Sequence, residues 1–148
     1  MDHRQTKLPQ GWETKKYFND FDKQLTINFK IDTFRIEKLL EKRFKIDFSI
    51  TGMFRAIIDA ELEYDTLLNK YFQLLINKLD VSDKDILIQS QRNWIQFRDS
   101  ERKLNDEISK DDYSGGGSSQ RVIIASRYIE ITKKRVLELY GYLTRFYK

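Results

Sequence analysis

Apolar residues recur at three- and four-residue intervals along most of the chain, the spacing that lines one face of an α-helix. The longest such stripe runs Phe54, Ile57, Ile58, Tyr64, Leu68, Tyr71, Phe72, Leu75 and Leu79, with Glu61 in line with it. A second comprises Ile86, Leu87, Trp94, Ile95, Phe97, Leu104 and Ile108, and a third Val122, Ile123, Tyr128, Ile131, Val136, Leu139, Tyr142 and Leu143. Over residues 20–45 two periods compete. Leu25, Ile27, Phe29 and Ile31 alternate as in a strand, while Phe21, Leu25, Phe29, Ile36, Leu40 and Phe44 keep helical spacing. The helical series is the longer, so a helix is predicted there, with Asp32 or Thr33 as a restart point.

Breaks separate these stripes. Asp47 to Gly52 is one, with Ser49 and Thr51 as candidate N-caps. Ser82, with Asp85 three residues on, reads as a short capping box opening the next helix. Residues 111–119, with Tyr113, Ser114 and three consecutive glycines, read as a loop, and Ser118 or Ser119 as the cap of the last helix. Residues 1–19 are polar and contain Pro9 and Gly11, which predicts a tail with a short helical turn over 12–18. The expected fold is all-α: one domain over residues 20–148, an antiparallel bundle of three long helices of about 25 to 30 residues. The additional N-terminal helix would lie across or alongside them.

Composition agrees with this reading and narrows function. The chain has 148 residues, 40% apolar and 34% charged, with one proline. That length suits a single domain with a real core, and scarce breakers leave helices long. Its 27 basic and 23 acidic residues are interleaved, so the formal charge of +4 comes without a basic arm. The best basic strip is Arg121, Arg127, Lys133, Lys134 and Arg135 on the last helix, but most aromatics fall on core faces, which disfavours nucleic-acid binding.

The absence of cysteine excludes disulfides and thiolate metal sites. No membrane span and no apolar targeting core after Met1 is seen, so the protein is expected to be cytoplasmic or to have lost an export signal. The single histidine, His3, lies in the tail, so neither a histidine dyad nor a histidine-rich metal site is expected in the domain. Ser114 and the neighbouring serines lack a nearby base, and the glycine run lacks the Lys-Ser/Thr ending of a phosphate loop. Glu61 and Asp65, close to Glu63, are four residues apart on one face and could act as paired carboxylates, but such a helix-surface pair without a cleft reads as a solvated pair or a partner for arginine. No catalytic residue, cofactor or metal is therefore expected.

The densest group of unusual residues is Gln91, Arg92, Trp94, Phe97, Arg98 and Asp99. Gln91, Trp94, Ile95 and Arg98 share one helix face. Buried, these polar groups need partners, which Glu61, Asp65, Asn69 and Thr132 could supply as an interhelical layer fixing helix register. Exposed, the same face would recognise a partner.

Three segments in order resemble the LprI-type lysozyme-inhibitor family. They are Asp65 with Leu68-Asn69 and Phe72; Gln91-Arg92-Asn93-Trp94 running into Phe97-Arg98-Asp99; and Gly116-Gly117-Ser118 followed by Thr132, Arg135 and Leu139. The family-like region covers residues 54–143. The resemblance implies a non-enzymatic binding or inhibitory protein of the periplasm or cell envelope, with a protein partner such as a lysozyme-like muramidase. It also implies a motif face of Asp65, Asn69, Gln91, Arg92, Trp94, Arg98, Asp99, Thr132 and Arg135. Apart from the resemblance, the aromatic and hydroxyl groups of Tyr113, Ser114 and Ser118 make the glycine loop a candidate contact, its plainer reading being a connector that frees Ser118 to cap the last helix. A structural or nucleic-acid-binding helical module is the alternative. Relatives commonly carry two cysteines near the positions of Arg102 and Arg127, so here burial and polar pairing must join those helices. A positively charged inhibitor gains no long-range steering toward a basic lysozyme.

Overall fold

The structure, a computed structural model, describes residues 20–146. The tail over 1–19, with His3 and the turn expected over 12–18, lies outside them. Four long helices follow one another: α1 (Asp20–Ile46), α2 (Ile50–Ile76), α3 (Val81–Ile108) and α5 (Gln120–Leu143), with the single turn α4 (Asp111–Ser114) before the last. There is no strand among the described residues. α1 passes through Asp32 and Thr33 unbroken. Thr33 Oγ1 donates back to the Phe29 carbonyl at 2.8 Å, and Asp32 points to Lys70 on α2. Leu25 and Ile36 are buried while Ile27 and Ile31 are exposed, so the strand-like alternation has no structural counterpart.

The core is built mainly from α2 and α5. Ala56, Ile57, Tyr64, Leu67, Leu68, Tyr71 and Leu75 on α2 meet Ala125, Ile129, Val136, Leu139 and Leu143 on α5, all buried. Burying each large side chain contributes about 1.5–3 kcal/mol, so this pair dominates the stability. Contacts climb the two helices together: Arg121 covers Phe54, Thr132 meets Glu61, and Tyr140 lies against Tyr71. α2 and α5 are therefore parallel, the close diagonal of an up-down-up-down bundle. α1 and α3 run antiparallel to them as flanks. Thr26 bonds Tyr140 and Glu37 pairs with Lys133, whereas Gln91 meets Arg135 and Asp106 meets Tyr128. Helices adjacent in sequence are antiparallel, as expected. The densest packing, however, joins two that are not adjacent.

An aromatic knot ties α1 to this pair. Phe29 stacks on Tyr140 with centroids 3.9 Å apart, and Tyr71 meets both rings edge-on at 5.5 and 6.2 Å.

Helix ends follow the sequence only in part. Ser49 caps α2, its hydroxyl accepting from the Gly52 N–H at 3.0 Å. α3, however, starts from Asp80, whose backbone is extended, while Ser82 sits inside the first turn and bonds Asp83. The capping box is absent because the chain turns helical two residues early. Ser119 holds the N-cap position of α5 in a helical conformation and its side chain makes no capping bond. Residues 111–114 form a helical turn instead of a loop, and Gly115, at φ 80°, ends it in the left-handed region that glycine adopts without strain.

The expected apolar stripe of α3 is divided. Leu87 is buried and Trp94 half-buried, whereas Ile86, Ile95, Phe97, Leu104 and Ile108 are exposed. The inward line of α3, spaced i, i+4, i+7, i+11 and i+15, is Leu87, Gln91, Trp94, Arg98 and Arg102. It is largely polar, and the apolar line of Phe97, Leu104 and Ile108 lies to one side of it.

Candidate functional site

Two polar layers join α3 to the central pair. In the first, Arg135 on α5 is only 5% exposed. Its Nε donates to Gln91 Oε1 at 3.0 Å, one terminal nitrogen to Ser90 Oγ at 3.2 Å, and the other to Glu138 Oε2 at 3.0 Å. The Trp94 ring lies within 5.9 Å of this guanidinium and 5.4 Å of that of Arg98. Among the described residues Arg98 hydrogen-bonds only the adjacent Asp99, from Nε at 3.0 Å and a terminal nitrogen at 2.9 Å. A buried guanidinium must have its donors met, and three side chains do so for Arg135.

The second layer lies toward the C-terminal end of α3. Glu61 on α2 accepts from Arg102 and, at 3.5 Å, from the buried Thr132 hydroxyl. The Arg102 guanidinium covers the Tyr128 ring at 4.8 Å, and the Tyr128 hydroxyl donates to Asp106 at 2.5 Å. Burial, then the hydrogen bond and charge of Asp106, push the Tyr128 phenol up to about 12. Arg102 occupies the α3 position near which the resemblance places a cysteine. Its pairing with Glu61 and its stack on Tyr128 supply polar links from α3 to both central helices. Arg127 is exposed and faces a groove instead.

Above these layers a groove runs between α3 and α5. One hollow, of about 700 Å³, is lined by Trp94, Phe97, Ile131, Lys134, Leu137 and Glu138 among others. Past Glu130 and Ile131 it continues into a second of about 400 Å³ beside Ile108, Ile123 and Arg127. Phe97, Ile108, Ile123 and Leu137 are each roughly half exposed along it. Lys134 has no ion pair among the described residues.

The structure thus brings Gln91, Trp94, Arg98, Asp99 and Arg135 together, and places Thr132 in the second layer with Glu61. Asp65, half-buried, and Asn69, exposed on α2, bond to none of the other motif residues, and Arg92 faces solvent. The loop residues divide. Tyr113 is 72% exposed and Ser118 is exposed, but the Ser114 hydroxyl is used locally, donating to the Ser109 carbonyl at 2.7 Å and accepting from the Gly116 N–H at 3.0 Å.

The basic strip expected on α5 does not exist as a surface. Arg121 covers Phe54, Lys133 pairs with Glu37 at 2.6 Å, and Arg135 is buried, because a single helix turns these residues toward different neighbours. Glu61 is engaged by Arg102 and Thr132. No cluster of three or more metal-ligating side chains occurs among the described residues. Sequence reasoning missed Ser90, Glu138 and Asp106 as partners. The spacing of Arg135 and Glu138, three residues apart, was the available signal for one of them.

A family model described as "Lysozyme inhibitor LprI" matches residues 49–139, from the cap of α2 to the last turns of α5. α1 lies outside the matched region. No curated protein and no solved structure matches the chain.

Proposed function

We propose, from the premise that this chain belongs to the family of LprI lysozyme inhibitors, that it is a non-enzymatic inhibitory protein of the cell envelope whose α3–α5 groove receives part of a muramidase. The observation that carries this reading is the apolar groove surface of Phe97 with Leu137 and Ile108 with Ile123, left exposed within the family-matched region. Contiguous apolar surface rimmed by polar groups marks binding sites. Here Lys134, Glu130 and Glu138 form the rim and would fix orientation. The two polar layers beneath, built on the buried Arg135 and Thr132, join α3 to the central helices, so the groove would be preorganised and its occupant would meet little ordering cost.

With a chain charge of +4, attraction at long range would favour an acidic muramidase. Affinity for a neutral or basic one would come from apolar contact, with little dependence on salt. Clearing of a bacterial cell-wall suspension by a panel of muramidases tests the proposal. The protein should slow at least one of them stoichiometrically, and Phe97→Ala with Leu137→Ala should abolish the effect. Clearing at an unchanged rate across the panel would refute it.

A further inference from the structure

α1 carries a second amphipathic face that the bundle does not use. Ile27, Ile31 and Phe34, spaced i, i+4 and i+7, form a line opposite the core with exposures of 50%, 51% and 61%. Lys23, Lys30, Arg35, Lys38 and Lys42 surround that line. Of these, Lys23, Lys30, Arg35 and Lys42 have no ion pair among the described residues. Three of the described carboxylates of the helix are turned elsewhere. Asp22 is buried, Asp32 pairs with Lys70 at 2.5 Å, and Glu37 accepts from Tyr64 and Lys133. Among the described carboxylates only Glu41 sits near the face, bridged by Lys38 at 3.2 Å and Lys45 at 3.1 Å.

We infer that the outer face of α1 is a docking surface for an anionic lipid bilayer. An exposed apolar line edged on both sides by long basic side chains fits the water–lipid boundary. The apolar residues enter the headgroup region while lysine and arginine stems extend back to lipid phosphates. The charge complementarity is local, since Asp22, Asp32 and Glu37 are turned to the inner side of α1 and only Glu41 of its described carboxylates lies near the outer face. Lys23, Lys30, Arg35 and Lys42, by contrast, hold no ion pair among the described residues. The helix would lie flat, for no described helix is long and apolar enough to cross a membrane. α1 also lies outside the family-matched region, so this surface is separate from the groove and does not rest on the inhibitory reading.

Co-sedimentation of the full chain with vesicles tests the inference. Vesicles of phosphatidylglycerol and phosphatidylcholine in about equal parts should bind the protein and release it in about 0.5 M salt. Pure phosphatidylcholine should not bind it. Arg35→Glu with Lys42→Glu removes two charges that hold no ion pair, so helicity should persist while partitioning falls by at least about tenfold. Phe34→Trp should give an emission that shifts to the blue on anionic vesicles. Equal binding to neutral vesicles, no binding at low salt, or partitioning unchanged by the charge reversals would overturn the inference. So would binding to polyglutamate but not to vesicles, which would identify an acidic protein partner, or a dimer lost in Phe34→Ser, which would identify a second copy.

Discussion

Arg135 on α5, 95% removed from solvent, donates its Nε hydrogen to Gln91 Oε1 on α3 at 3.0 Å, a contact that joins the two helices. Its other donors go to Ser90 and Glu138. Arg135→Ala should remove a buried guanidinium with its bonds to the half-buried Gln91, to the exposed Ser90 and to Glu138, and lower stability by about 2–4 kcal/mol. Arg98→Ala, which loses a bond to its own neighbour Asp99 and a stack on Trp94, should cost no more than about 1 kcal/mol. Urea denaturation of the two variants checks this. Equal losses would contradict the greater weight given to Arg135.

Glu61 and Arg102 should behave as a unit. Their side chains are 12% and 27% exposed, and Thr132 and Tyr128 complete the layer. Glu61→Ala and Arg102→Ala should each destabilise the fold, and the double variant should lose less than the sum. A coupling of about 1–3 kcal/mol is expected in a double-mutant cycle. Additive losses would show that the layer does not substitute for a covalent link.

What the sequence disclosed was the part governed by period. The α2 stripe holds Ile57, Tyr64, Leu68, Tyr71 and Leu75 of its buried face. That of α5 holds only Val136, Leu139 and Leu143 and runs through the exposed Ile123 and Tyr142, because the small and polar residues Ala125, Thr132 and Arg135 are buried in their stead. The helical series of α1 outlasted a local strand-like alternation that tertiary packing never used. The Gln91–Trp94–Arg98 face was visible as a polar patch on a helix. Which arginine it would serve was not, because Arg135 is 44 residues from Gln91 and meets it only when α3 lies against α5. The parallel pairing of α2 and α5 was hidden for the same reason. On α3, apolar character suggested a core face, but Phe97 and Ile108 face a groove, Leu104 is exposed, and the inward line is largely polar. Hydrophobic pattern alone does not distinguish a core from a docking surface.

Stability should fall at both extremes of pH, for opposite reasons. Burial alone would raise the pKa of Glu37, but hydrogen bonds from Lys133 and Tyr64 outweigh it and hold the group below 4.5. A depressed folded value gives stability that is present above the unfolded value and lost as pH falls through the folded one. Tyr64, Tyr71 and Tyr128 are shifted upward from 10.0, first by burial and then by nearby carboxylates, Tyr128 to about 12. Their contribution is present below pH 10 and lost as pH rises through the folded values. The urea midpoint should therefore be flat near neutrality and drop at each end, with Tyr128→Phe reducing the alkaline drop. A midpoint that rises above pH 10 would contradict these environments.

The turn before α5 depends on glycine at one position more than at its neighbours. Gly116 has φ 72°, and a Cβ there would collide with the Asp111 carboxylate, whereas Gly115 and Gly117 have open space. Gly116→Ala should cost about 1–2 kcal/mol and Gly117→Ala about 1 kcal/mol. Tyr113→Ala, at a side chain 72% exposed, should leave the melting temperature unchanged. Thermal melts of the three variants check the order, and an unchanged Gly116→Ala melt would contradict it.

The central claim is that the α3–α5 groove binds a muramidase. The most direct measurement is calorimetric titration of the inhibited muramidase with the wild-type protein and with Phe97→Ala/Leu137→Ala. Both side chains are more than half exposed, so the double variant should keep its urea midpoint. Its Kd should rise at least about tenfold, as for truncation of central anchors in an interface. Undiminished affinity in a folded double variant would contradict the claim and place the binding surface elsewhere on the chain.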